Sequence, residues 1–78
     1  MNASLLLEIM NKKGVSKEEL SNELHITRQG FWNKIAGKSE FKLSEINIIC
    51  VKLKLNLKQR NAIFFSDYVD KNANKEKR

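Results

Sequence analysis

Arg28, Gln29 and Asn33 carry side chains whose hydrogen-bonding geometry matches the edges of nucleic-acid bases. A guanidinium offers paired donors to guanine O6 and N7, and a carboxamide offers a donor and an acceptor to adenine N7 and N6. Such chemistry needs the groups on one exposed face of a rigid element. At about 100° per residue, a helix that buries Phe31 and Ile35 puts Asn33 opposite its inward face, with Gln29 and Ala36 close to opposite. Thr27 and Arg28 then stand at its N-terminal tip and Trp32 on its flank. An ordinary surface helix also turns polar residues outward, so the surroundings of this helix carry the distinction.

Those surroundings are residues 16–37, SKEELSNELHITRQGFWNKIAG. Ser16 followed by Glu19 predicts a capping box and a helix from Lys17. Leu20 and Leu24 share one face of that helix. His25 and Ile26 interrupt the pattern, His25 as a residue that tolerates the left-handed conformation ending a helix. Thr27 is an N-cap for a second helix over 28–36, and Gly37 stops it. Two short helices joined by a tight turn form a helix-turn-helix arrangement.

The flanking chain reads as helical too. A first helix over 2–13, capped by Asn2 or Ser4, turns Leu6, Ile9 and Met10 inward with Leu5 beside them. Lys12 and Lys13 fall in its last turn, where the helix dipole favours positive charge, and Gly14 ends it. Val15 is placed to act as a hydrophobic staple for the next helix. Beyond Gly37, Phe41 anchors a loop over 38–42. Leu43, Ile46, Ile49, Cys50 and Leu53 mark a fourth helix, with Cys50 as a small core residue. Asn56 with Gln59 predicts a capping box for a fifth helix from about Leu57, with Ala62, Ile63, Phe64 and Phe65 as its apolar part. Phe64, Phe65, Tyr68 and Val69 exceed what one small core needs. They either fold back onto the first helix or meet a partner, in which case they are the dimer contacts. Residues 70–78, DKNANKEKR, form a charged tail expected to be mobile.

Composition narrows the function. The 78 residues contain no Pro and three Gly, and they make one all-α domain over 1–69. Fifteen Lys and Arg against nine Asp and Glu give a formal charge of +6, which suits a polyanionic partner. A single Cys fits a reducing cytoplasm, and the short apolar run Leu5–Leu7 is expected to be neither a signal peptide nor a membrane span. Enzyme chemistry finds no support. The lone His25 has no second His or nearby Cys with which to bind zinc, no glycine-rich phosphate loop is present, and Glu18, Glu19 and Glu23 read as solvated. No cofactor or small-molecule ligand is expected.

The run from Lys13 to Leu55 resembles the helix-turn-helix domain of phage Cro and CI-type repressors, the XRE-like family. Gly14-Val15-Ser16, Glu18-Glu19-Leu20, Leu24, Ile26, Thr27-Arg28, Gly37-Lys38 and the FKLSEI stretch carry the likeness. The ending, NLKQRNAIFFSDYVDKN, is similar to short single-domain members. The resemblance implies a compact five-helix domain of the lambda-repressor-like type, operator DNA as partner and a homodimer. By position it puts base reading on Thr27, Arg28, Gln29 and Asn33, and phosphate contacts on Ser16, Lys17, Lys34 and Lys38. Trp32 stands where an aromatic is unusual, to touch a thymine methyl group, stack on sugar or pack beside the second helix. Three features depart from the family's pattern. Ser21 replaces a common Ala, His25 replaces a common Gly, and Phe31 and Ile35 are four apart where three is usual. Two functions follow: a DNA-binding regulator, foremost a phage or prophage repressor, or an antitoxin-like or antirepressor-like interaction module that keeps the fold without operator binding. The Arg and Gln retained on the third helix favour the first.

Overall fold

Among the described residues, four of the five helices begin at a residue whose side chain takes up an otherwise unpaired backbone N–H. In the computed structural model, which describes residues 1–66, these are α1 (Ala3–Lys13), α2 (Lys17–Glu23), α3 (Arg28–Ile35), α4 (Leu43–Leu53) and α5 (Leu57–Phe64). Asn2 caps α1, Ser16 caps α2, Thr27 caps α3 and Asn56 caps α5. At α5 the reciprocal bond is also made, Gln59 Oε1 accepting from the Asn56 N–H at 3.0 Å. The described residues form an all-α domain. The predicted tail and residues 67–69, including Tyr68 and Val69, lie outside them.

Between α2 and α3 the chain turns sharply. His25 takes φ 58°, in the left-handed region that disfavours most side chains. The Ile26 N–H returns to the Ser21 carbonyl at 3.0 Å, which closes the corner. Ser21 is buried, and its hydroxyl donates to the Glu18 carbonyl at 3.0 Å, so this buried polar group is not left unpaired.

Leu6, Ile9 and Met10 of α1, Leu20 and Leu24 of α2, Phe31 and Ile35 of α3, Ile49 and Leu53 of α4 and Ile63 of α5 form one core. Phe31 meets Phe41 edge-to-face with ring centroids 5.9 Å apart, and Phe41 meets Phe64 at 5.8 Å. Two polar ties run alongside. The Asn2 N–H donates to the Ile63 carbonyl at 2.6 Å, joining α1 to α5, and the Lys13 ammonium donates to the Leu53 carbonyl at the end of α4.

Three local expectations are corrected. Leu43 is 65% exposed, because it is the first residue of α4 and the inward stripe begins only at Ile46. The Ser16–Glu19 box is half formed: Ser16 Oγ accepts from the Glu19 N–H, but the Glu19 carboxylate turns to Lys52 of α4 at 3.0 Å. Glu23 also approaches Lys52, at 4.0 Å, so two of the carboxylates read as solvated share one ammonium. Its hydrogen bond to Glu19, with the attraction of both carboxylates, raises the Lys52 pKa. A raised pKa stabilises the protonated fold, so this contribution is complete below the unfolded value and fades as pH rises through the folded one. α4 itself ends on Lys54 in a left-handed conformation, φ 54°, a non-glycine stop with no sequence signal.

The core places opposite expectations on two apolar residues. Phe31→Ala removes a fully buried ring and should cost about 3–5 kcal/mol. Leu43→Ala should change stability by no more than about 0.5 kcal/mol. Urea unfolding of both variants checks the pair, and a large loss for Leu43→Ala would contradict its placement.

Candidate nucleic-acid interface

α3 buries Phe31 and Ile35, leaving Arg28, Gln29 and Trp32 exposed and Asn33 half-buried. Thr27 Oγ1 accepts from the Gly30 N–H at 2.9 Å and fixes where the helix starts. Gly30, to which the sequence reading gave no role, lies against this cap. A Cβ there would come within 3.1 Å of Thr27 Oγ1, so the missing side chain leaves room for the hydroxyl. At the other end Gly37 takes φ 85°, and the Lys38 N–H donates to the Asn33 carbonyl at 2.8 Å.

Two groups stand out among the predicted site residues. Ser16, Lys17 and Arg28 line one hollow where α1 ends and α2 begins, beside the tip of α3. The Lys17 ammonium stands 5.1 Å from the centre of the Trp32 ring, a cation–π contact that draws α2's first residue to α3's flank. Gln29 and Asn33 form the second group, with Gln29 Nε2 donating to Asn33 Oδ1 at 3.0 Å. Arg28 makes no ion pair among the described residues.

Lys34 and Lys38 separate into different roles. Both are expected to hold charge toward a phosphate backbone, and within the protein Lys34 already has partners. Its ammonium lies 3.4 Å from Glu45 of α4, donates to the Glu40 carbonyl at 2.9 Å and stands 5.8 Å from the Phe41 ring centre. Glu45 is itself buried, and its Oε1 accepts from the Lys42 N–H at 2.7 Å. Lys42 has no acceptor with which to complete a capping box. Glu45 therefore ties α3 to α4 through Lys34, whereas Lys38 is exposed in the loop beyond Gly37.

The proposed dimer residues divide as well. Phe64 is half-buried against Phe41, and Phe65 is half-buried with the Arg60 guanidinium 5.5 Å from its ring centre. Tyr68 and Val69 lie outside the described residues. Among the described residues, the most exposed large apolar side chains are Leu43, Leu57 and Val51, on α4 and at the start of α5. Cys50 is half-buried. Desolvation raises its pKa against the opposing pull of Arg60, so the thiol form is favoured.

Among the described residues, no helix is long and apolar enough to cross a membrane, and no cluster of His, Cys, Asp or Glu could hold a metal ion. No family model, no curated protein and no solved structure matches the chain.

The two lysines give a direct check. Lys34→Met leaves Glu45 without its ammonium and should lower stability by about 1–3 kcal/mol. Lys38→Met should leave it unchanged within about 0.5 kcal/mol. Equal denaturation midpoints for the two variants would show that Lys34 is not holding α3 to α4.

Proposed function

We propose that this chain is a sequence-specific DNA-binding transcriptional regulator of the phage or prophage Cro type, working in the cytoplasm. α3 would lie in the major groove, and occupancy of an operator would block polymerase sterically. The observation that supports this reading best is the outward face of α3. Arg28, Gln29 and Trp32 are exposed there and Asn33 half-exposed, on a capped helix without an acidic residue in its first turn. Thr27, Arg28, Gln29 and Asn33 are assigned to bases. Ser16, Lys17 and Lys38 are assigned to phosphates, with Lys34 contributing through the position of α3. The N-terminus of α3 adds the positive end of its dipole. Trp32, with Lys17 over its ring, is placed to pack on sugar beside the contacted bases.

The formal charge of +6 gives the reading its first test. Neutralising several phosphates releases counterions, so log affinity for a duplex should fall linearly with log salt. Lys38→Ala should reduce that slope by about one. Lys34→Ala should reduce it by less, because its charge is already committed to Glu45. Titrating a labelled duplex at several salt concentrations measures both, and no binding at low salt would remove the proposal.

A homodimer on DNA belongs to the same reading, with Phe64, Phe65, Tyr68 and Val69 as contacts. Two copies of α3 would then sit about 34 Å apart, one turn of the duplex, on a near-palindromic site. Sedimentation with and without a selected duplex should show two chains per site. One chain per asymmetric site would contradict the dimer.

A further inference from the structure

Gln29 and Asn33 are one helical turn apart, and their side chains are joined: Gln29 Nε2 donates to Asn33 Oδ1 at 3.0 Å. We propose that Asn33 is a positioning residue for Gln29, so that the two amides form one reading unit aimed at a single adenine. This inference rests on the DNA-binding function proposed above. It replaces two independent adenine readers with a coupled pair.

The donor and acceptor inventory carries the case. A carboxamide has one acceptor oxygen and two N–H bonds, one on the oxygen's edge and one pointing away from it. Bidentate pairing with adenine uses the oxygen and the N–H beside it. Made through the N–H that points away from the oxygen, the bond to Asn33 leaves the edge N–H and Oε1 of Gln29 free. Gln29 can therefore hold Asn33 and read adenine together.

Asn33 stands differently. Its Oδ1 is engaged by Gln29, and as a residue it is less exposed than Gln29. With one of its two oxygen lone pairs taken by Gln29, Asn33 keeps fewer geometries for bidentate pairing with adenine, while its Nδ2 donors can still meet guanine O6 or N7, or thymine O4. Asn33 is also a firm support. Its carbonyl accepts from the Lys38 N–H at 2.8 Å, where Gly37 turns the chain. Holding the long Gln29 side chain before DNA arrives lowers the ordering cost of binding, and it directs the free amide edge outward.

The test begins with a site enriched by the wild-type protein from a random duplex pool. Each base pair of that site is then varied against wild type, Gln29→Ala, Asn33→Ala, Asn33→Asp and the double Ala variant, with a melting curve for every protein. Gln29→Ala should lose preference at one A·T pair by about 5- to 150-fold. Asn33→Ala should weaken preference at that same pair, and the double variant should be no worse there than Gln29→Ala alone. Asn33→Asp keeps an acceptor for Gln29. It should retain that preference while binding all duplexes more weakly through its added negative charge. Separate base pairs relaxing additively, or Asn33→Asp losing the preference as fully as Asn33→Ala, would overturn the coupling and leave the DNA-binding function standing. A wild-type pool with no enriched site would take away both.

Discussion

The ring of Phe31 is fully buried, and edge-to-face contacts continue from it through Phe41 to Phe64 on α5. With Phe31 and Ile35 turned inward, α3 has no freedom to rotate, and its remaining faces are settled by helical geometry alone. The corner before it follows. Ser21 is buried and its carbonyl accepts the Ile26 N–H that closes the turn, His25 takes a left-handed backbone, and Thr27 caps α3. The outward placement of Arg28, Gln29 and Asn33 is thus a consequence of core packing, and the functional reading depends on it.

Charge is distributed unevenly over this frame. The Lys13 ammonium serves the end of α4, that of Lys52 draws two carboxylates of α2 toward α4, and that of Lys34 meets Glu45. These cations hold helices together. Lys17, Arg28 and Lys38 are exposed around α3, where an approaching polyanion would meet them. A formal charge of +6 therefore understates the division of labour: some cations fasten the scaffold and others are available to a partner.

Most elements were legible in the sequence because their signals are local. Asn2, Ser16, Thr27 and Asn56 each name a helix start through a bond three residues long, and Leu6, Ile9 and Met10 name a buried face by spacing. What was not legible depends on partners distant in sequence or on the conformation of a side chain. Glu19 left its capping box because Lys52 arrives from α4. Lys34 turned inward because Glu45 is buried within reach. Leu43 fitted the periodicity but sits at the first position of α4, outside the core. The Gln29–Asn33 bond lies at helical spacing, yet spacing does not say whether two amides join or remain apart.

The most direct measurement of the central claim, that the outer face of α3 contacts DNA, is a map of backbone amide shifts when the 15N-labelled protein is titrated with a duplex it has selected. Changes should concentrate at residues 16–17, 27–33 and 38, with the core of α1 and α5 little altered. Changes centred on the exposed side of α4 around Leu43 and Val51, with 27–33 undisturbed, would contradict it.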